Sequence, residues 1–166
     1  MAHFLSSPRW RFSMRAVATM SREVVCVPPE LPLAKAWDLM QELRIRHLPV
    51  VQAGALVGIL SDRDVLLRSN TLPGMFEDTD LVGLAMTPGP LTCRSSTPVS
   101  RLAETMIERK IDALPVVSDV NPGRVIGLVT STDLLALLVD ADEEEALPIL
   151  FNLRLATADG RLPEAA

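Results

Sequence analysis

The chain contains one segment twice, and this internal repeat constrains the fold more than any other feature of the sequence. When Met20 is aligned with Met86, the residues that follow align without a gap as far as the LPVV runs at 48–51 and 114–117. A unit of roughly fifty residues buries too little apolar surface to be stable alone. We therefore predict that the two copies pack on each other as one pseudo-symmetric unit.

Within each copy the residue pattern predicts a strand, a helix, two further strands and a final helix. Residues 24–27 and 90–93 predict the short first strands, and apolar residues at helical spacing follow in 33–43 and 99–107. Two β-rich runs separated by turn residues then predict a hairpin. The predicted fold class is α/β in the mixed α+β sense, with two tandem β-α-β-β-α repeats related by a pseudo-twofold axis.

Breaks in this pattern divide the chain into five parts. We predict an N-terminal arm over 1–15, a first repeat over 16–68, a linker over 69–82, a second repeat over 83–139 and a C-terminal tail over 140–166. The arm is rich in arginine and free of acidic residues, a composition also found in organelle transit peptides, but an irregular arm is the interpretation we favour. In the tail, residues 146–155 are compatible with one further short amphipathic helix.

Composition argues against several classes of function. The chain carries 16 basic and 21 acidic side chains, and this acidic balance argues against non-specific binding of nucleic acid. Two cysteines and two histidines support neither a disulfide framework nor a His-rich metal site, and unpaired cysteines fit the reducing cytoplasm. The apolar runs are far too short for a membrane span, so we expect no membrane partner.

Each copy follows its hairpin with a hydroxyl residue and a carboxylate at fixed spacing. The stretch GILSDRD contains Ser61 and Asp64, and the stretch GLVTSTD contains Thr130 and Asp133. Both patterns are typical of helix N-caps, so both have a purely structural interpretation. The alternative is a binding site, because a helix N-terminus favours phosphate and a carboxylate accepts hydrogen bonds from ribose hydroxyls.

The ordered combination of these features, present twice, resembles the CBS domain pair, which is named after cystathionine β-synthase. The resemblance extends over residues 14–139. It implies a Bateman module with two pseudo-symmetric clefts that bind adenosine-containing ligands: AMP, ADP, ATP, S-adenosylmethionine or, less often, NAD. It implies no required cofactor beyond such a regulatory nucleotide, with Mg²⁺ only where ATP is the ligand, and it implies a homodimer.

The resemblance also assigns roles to residues of both copies. Asp64 and Asp133 are expected to bind ribose hydroxyls. The other expected contacts are Ser61 and Thr130 for the ribose–phosphate path, Arg63 and Thr132 for the phosphates, Val25 and Leu91 for the base, and Arg46, His47, Asp112 and Ala113 for the cleft walls. In this family a cleft can combine the start of one repeat with the Gly-to-Asp element of the other, and the sequence leaves that pairing open.

The two clefts are predicted to differ in affinity. Arg46 and His47 of the first copy align with Asp112 and Ala113 of the second. Because the Asp112 carboxylate would repel a phosphate, we expect one cleft to hold a polyphosphate better than the other. Each basic residue also has an ordinary explanation as a solvated or helix-end charge.

The sequence offers little support for catalysis. It contains no P-loop, no Rossmann glycine pattern and no zinc-binding spacing, and neither Cys26 nor Cys93 lies beside a candidate base. The leading hypothesis is a non-enzymatic module that senses an adenine nucleotide and regulates an enzyme or transporter. The alternative is a dimerisation and interaction scaffold with empty clefts. A weaker third hypothesis is nucleic-acid binding through the basic arm.

Overall fold

The computed structural model of the chain describes residues 14–68, 76, 79–139, 152–155, 157 and 159–160. Most of the N-terminal arm, most of the linker and most of the C-terminal tail lie outside the described residues. Among the helices in the described ranges, none has the length and apolar character that crossing a membrane requires.

The first repeat has the predicted succession of elements. After a short helix α1 (Ala16–Thr19) come β1 (Glu23–Cys26), α2 (Leu33–Leu43), β2 (His47–Gln52), β3 (Ala55–Ser61) and α3 (Asp62–Arg68). The strands β2 and β3 pair antiparallel, and both turn residues between them, Ala53 and Gly54, have positive φ angles. This left-handed turn matches the twist of a two-residue hairpin.

The second repeat follows the same plan. Its elements are α4 (Val82–Ala85), β4 (Thr87–Pro88), β5 (Cys93–Arg94), α5 (Val99–Arg109), β6 (Ala113–Val117), β7 (Val125–Thr130) and α6 (Ser131–Val139). The hairpin irregularity also recurs, between Val50 and Val51 in one copy and between Val116 and Val117 in the other. The two-copy α/β fold predicted from the sequence is therefore confirmed.

The start of the second repeat differs from the prediction in two details. The strand β5 begins only at Cys93, because the preceding stretch contains Gly89 with a φ of 55° and Pro90, which has no N–H to donate. The helix α4 begins at Val82, the residue that the sequence assigns to the end of the linker, and it corresponds to α1 of the first repeat.

Each repeat begins on the surface of the other repeat. The Ala16 N–H donates to the Thr97 carbonyl at 2.8 Å, and in the mirrored contact the Val82 N–H donates to the Leu31 carbonyl at 2.9 Å. The strand β4 likewise joins the sheet of β2 and β3, although it belongs to the second repeat. These exchanged contacts tie the two copies into one unit.

The buried residues form three apolar clusters, and the third joins the repeats. Val82 completes the cluster of the first repeat, whereas Ala16 and Met20 complete the cluster of the second. The third cluster contains Val24, Cys26, Val51, Ala113, Val125 and Leu128, which come from both copies. The core thus confirms that the copies pack on each other.

A glycine and a methionine from opposite repeats meet at two symmetric positions. A Cβ atom added to Gly127 would lie 2.6 Å from Met20 Sδ, and one added to Gly58 would lie 2.3 Å from Met86 Sδ. Real Cβ atoms do not approach other atoms this closely. The recurrence of Gly and Met in both copies therefore has a steric cause: the chain start of one repeat crosses directly over the hairpin of the other.

The C-terminal tail contributes a strand where the sequence suggested a helix. Residues Asn152–Leu155 form β8, which pairs parallel with β1 in the register Glu23 to Asn152 and Cys26 to Leu155. The edge of β1 offers unpaired N–H and C=O groups, and pairing with them outweighs a weak local helix preference. The helix prediction is wrong for these four residues, and its remaining residues, 146–151, lie outside the described ranges.

Candidate functional site

A cleft lies where the start of the first repeat meets the hairpin of the second. Its cavity measures about 260 Å³, and we call it the first cleft. Six of the residues predicted from the sequence line it: Val25, Arg46, His47, Thr130, Thr132 and Asp133. This cleft therefore combines the chain start of one repeat with the Gly-to-Asp element of the other, which answers the question that the sequence left open.

The carboxylate of Asp133, which lines this cleft, caps the helix α6. The Thr130 hydroxyl and N–H both donate to Asp133 Oδ2, at 2.8 and 2.7 Å, and the Asp133 N–H donates to Thr130 Oγ1 at 3.2 Å. Within the described part of the chain Oδ1 accepts no hydrogen bond. One carboxylate can therefore cap the helix through Oδ2 and still offer Oδ1 to a ligand.

The same reciprocal cap occurs at α3 in the other repeat. The Ser61 hydroxyl and N–H donate to Asp64 Oδ2 at 2.6 and 2.8 Å, and the Asp64 N–H donates to Ser61 Oγ at 3.2 Å. The structural interpretation of both elements is thus confirmed, and it is compatible with a binding role as well.

Arg44 lies at the end of α2 in a conformation that normally favours glycine. Its φ and ψ are 53° and 39°, and its counterpart Lys110 at the end of α5 has 54° and 44°. A left-handed residue with a side chain is strained by roughly 1–2 kcal/mol. Such strain is common at functional sites, and here it places a basic residue in the lining of the first cleft.

The lining of the first cleft divides into an apolar and a charged set. Val24 and Val25 are buried, and Ile45 is half-buried. Arg44 and Arg46 are exposed, and neither side chain makes an ion pair with any described residue. Apolar walls with a few uncommitted polar groups are the usual composition of a small-molecule site.

His47 is the single titratable group of the cleft whose pKa is clearly shifted. Burial lowers the pKa of His47, and the positive charges of Arg46 and Arg63 act in the same direction. The carboxylates of Asp62 and Asp112 oppose this shift. The imidazole is therefore neutral at pH 7 and can serve as either donor or acceptor there.

Replacing His47 with asparagine is expected to flatten the dependence of stability on pH between about pH 7.5 and 5.5. The unfolded chain protonates His47 near its ordinary pKa of about 6.5, whereas the folded chain does so only at lower pH. Acidification through that window therefore costs the wild type stability, by at most about 1.4 kcal/mol per pH unit. Urea unfolding across the window measures it, and equal slopes in both proteins would contradict the prediction.

The other six predicted residues align with the six of the first cleft in the opposite copies, and we call the region that they define the second cleft. They are Ser61, Arg63, Asp64, Leu91, Asp112 and Ala113. The structure joins two of them, since Arg63 Nη2 lies 2.9 Å from Asp112 Oδ2. Leu91 is 47% exposed, whereas its counterpart Val25 is 9% exposed. Ala113 is buried in the cluster between the repeats, so it forms the back of the wall rather than its surface.

Several residues that line the first cleft were not predicted from the sequence. They are Ser21, Glu23, Val24, Ile45 and Leu128. Ser21 enters because its N–H and carbonyl pair with Leu128 of β7, at 2.8 and 3.0 Å. Only the crossing of the chain start over the other repeat brings these residues together, and no local sequence pattern encodes that crossing.

Comparison with protein families decides the assignment. The CBS domain family model matches residues 14–71 and 79–140, which is most of the chain. The chain belongs to the CBS domain family. It is also 33% identical over 129 residues to a CBS domain-containing protein of Dictyostelium discoideum, covering 72% of this chain and 88% of that protein.

Two other relatives are longer proteins that match this chain over part of their length. The inosine-5′-monophosphate dehydrogenase of Korarchaeum cryptofilum is 37% identical over 120 residues, covering 72% of this chain and 23% of that protein. The transcriptional repressor CcpN of Bacillus subtilis is 43% identical over 96 residues, covering 55% and 44%. The chain thus spans less than half the length of each of these two relatives.

Solved CBS pairs have the same fold. The CBS domain pair of protein MJ0100, in complex with 5′-methylthioadenosine and S-adenosyl-L-methionine, aligns with a TM-score of 0.69 and 25% identity, covering 78% of this chain and 98% of that chain. CBSX2 in complex with AMP aligns with a TM-score of 0.65 and 29% identity over the same shares. The resemblance inferred from the sequence is confirmed.

Proposed function

We propose that the chain is a regulatory module that binds an adenosine-containing ligand in the first cleft. The observation that carries this proposal is the convergence of Val25, Arg46, Thr130, Thr132 and Asp133, from both repeats, around one cavity. CBS pairs of the same fold in complex with AMP and with S-adenosyl-L-methionine support it. Catalysis is not part of the proposal.

Each part of such a ligand has a matching group in the first cleft. The apolar side chains of Val25 and Ile45 flank the base. Oδ1 of Asp133 accepts hydrogen bonds from the ribose hydroxyls. The Thr132 hydroxyl and the cations of Arg44 and Arg46 face the phosphate, where the N-terminus of α6 also favours negative charge.

The size of the cavity favours a mononucleotide. Its volume of about 260 Å³ lies just below the usual range of ligand pockets, roughly 300–1,000 Å³. One nucleoside monophosphate therefore suits the first cleft better than a dinucleotide such as NAD. We propose AMP as the reference ligand, with ADP, ATP and S-adenosylmethionine as competitors and Mg²⁺ only with ATP.

A thermal-shift panel with AMP, ADP, ATP, S-adenosylmethionine and NAD tests this function. Ligand that binds only the folded state raises the unfolding midpoint by mass action. We expect AMP to raise it most and NAD least. No shift with any ligand at millimolar concentration would contradict nucleotide binding and favour the scaffold alternative.

Replacing Arg44 with glycine is expected to stabilise the protein and weaken AMP binding. Relief of left-handed strain, less the entropy cost of glycine, amounts to roughly 0.5–1 kcal/mol. Loss of an exposed cation near the phosphate weakens binding by about two- to fivefold. Lys110→Gly removes the same strain outside the first cleft, so it should stabilise without weakening binding. Urea unfolding measures the stability of each variant, and calorimetry measures its AMP affinity. An equal loss of AMP affinity in the two variants would contradict a role for Arg44.

A ligand-free scaffold is the second candidate, and two observations favour it. The Asp64 and Asp133 carboxylates already have a structural task as helix caps. Large apolar side chains are also exposed on α3 and α6, with Leu67 at 85% and Leu135 at 60%. We propose these helices as the contact of a homodimer, which is compatible with either function and is tested by sedimentation of a Leu67→Lys variant.

The proposed setting is the reducing cytoplasm, and the proposed partner is a regulated enzyme or transporter. Both cysteines are free and buried, and burial raises the pKa of Cys26 and of Cys93 to about 12. These thiols therefore remain protonated and unreactive at neutral pH. A ligand acts on such a partner only through its different affinity for two arrangements of the pair.

A further inference from the structure

The second cleft contains an ion pair that the first cleft lacks. Arg63, in the first turn of α3, places Nη2 at 2.9 Å from Oδ2 of Asp112, which lies just before β6. The pair therefore connects the two repeats across the second cleft. In the first cleft the aligned positions are Thr132 and Arg46, which cannot form such a pair.

The consequence is a difference in the cations available to a phosphate. Arg46 makes no ion pair with any described residue, so its guanidinium is free to approach an anion. Arg63 is already committed to a carboxylate. An exposed ion pair is weak, so its strength alone does not exclude a ligand. Exclusion follows because a phosphate that displaced Asp112 from Arg63 would leave that carboxylate next to its own negative charge.

The wall for the base also differs between the clefts. Val25 is 9% exposed and lies in β1, a regular strand that β8 supports along its edge. Leu91 is 47% exposed and follows Gly89, whose φ of 55° departs from strand geometry. The second cleft therefore lacks both a free Arg63 cation and a buried apolar wall at Leu91.

We propose that the Asp112 carboxylate, which lies beside Arg63, is a specificity determinant that keeps phosphate out of the second cleft, so that each chain binds one nucleotide rather than two. This inference rests on the proposed function and adds to it the stoichiometry and the residue that sets it. The negative charge of Asp112 repels a phosphate, whereas the positive charge of the aligned Arg46 attracts one.

Calorimetric titration with AMP tests the inference in four proteins. Wild type should bind one AMP per chain. Asp112→Arg, which gives the second cleft the residue of the first, should bind two, and the neutral Asp112→Asn should also gain a second, weaker site. Arg63→Thr is the matched control, since it breaks the ion pair but retains the carboxylate, and it should still bind one.

A double variant assigns the new site to its cleft. Asp112→Arg combined with Asp133→Ala should weaken one of the two sites of Asp112→Arg, the site in the first cleft, and leave the affinity of the other unchanged. Two sites of equal affinity in the wild type, or one site in both Asp112 variants with their circular dichroism unchanged, would overturn the inference and leave the proposed function intact. Absence of AMP binding by the wild type would instead overturn the proposed function, and the inference with it.

Discussion

Replacing Asp133 with alanine is expected to weaken AMP binding by roughly 10- to 100-fold. Each hydrogen bond from a ribose hydroxyl to a carboxylate contributes about 1.5–3 kcal/mol, and each 1.4 kcal/mol corresponds to about tenfold in affinity. The variant also loses the helix cap that Oδ2 forms with Thr130, at a cost of about 1 kcal/mol in stability. Binding is therefore measured calorimetrically at a temperature where both proteins are folded.

The chain provides a matched control in Asp64. Asp64 caps α3 through the same contacts, since its Oδ2 accepts a hydrogen bond from the Ser61 N–H at 2.8 Å. Asp64→Ala should therefore lose a similar amount of stability. It lies in the second cleft, where we expect no nucleotide, so its AMP affinity should be that of the wild type. A second control uses the ligand 2′-deoxy-AMP. The wild type should bind it more weakly than AMP, whereas Asp133→Ala should bind the two ligands with equal affinity. Unchanged AMP binding in Asp133→Ala would eliminate the ribose role of this carboxylate.

Replacing Gly127 with alanine is expected to destabilise the fold by about 1–3 kcal/mol, the usual cost of overpacking a core. The added Cβ would lie 2.6 Å from Met20 Sδ and 3.1 Å from the Ser21 carbonyl oxygen. Met20 is 6% exposed within the second apolar cluster, so its side chain has little space into which to retreat. Because Ser21 also borders the first cleft, AMP affinity should fall together with stability.

A double-mutant cycle identifies the cause of this loss. Met20→Ala alone should cost about 2–5 kcal/mol through the cavity it creates, and Gly127→Ala should add little in that background. Gly123→Ala is the control, because a Cβ there would meet its nearest atom, Ala55 Cβ, at an ordinary 3.5 Å. Urea unfolding measures each variant. Additive losses for Met20 and Gly127 would show that their contact does not carry the effect.

The duplicated pattern was sufficient to predict the succession of elements in each repeat. Helical spacing in α2 and α5 is a local property, and it survives in the fold because the same apolar residues, such as Leu33 and Leu102, are buried. The recurrence of the glycines and methionines could also be seen in the sequence, but the contact of Gly127 with Met20 could not. It depends on one repeat starting on the surface of the other, which involves residues far apart in the sequence.

The two failures of prediction have different causes, one long-range and one local. Residues 152–155 have no strong strand pattern, and they form β8 because β1 offers an edge of unpaired backbone groups. The strand predicted over 90–93 shrinks to Cys93–Arg94 because Pro90 and the left-handed Gly89 interrupt it. The tertiary environment outweighs local preference at β8, whereas local strand breakers shorten β5.

Part of the lining of the first cleft was predictable from the sequence, but its assembly into one cleft was not. Alignment of the copies identified Asp64 and Asp133, and it also indicated that the clefts differ in charge. It did not assign the first-repeat residues Val25 and Arg46 to the same cleft as the second-repeat residue Asp133. It also gave no sign that Arg63, expected to face a phosphate, is paired with Asp112.

The most direct test of the account is a crystal structure of the protein grown with AMP. We expect one AMP per chain in the first cleft, with its ribose hydroxyls hydrogen-bonded to Asp133 Oδ1 and its phosphate beside Thr132 and Arg46. AMP bound instead against Asp64 and Arg63, or a ribose facing away from both carboxylates, would contradict it.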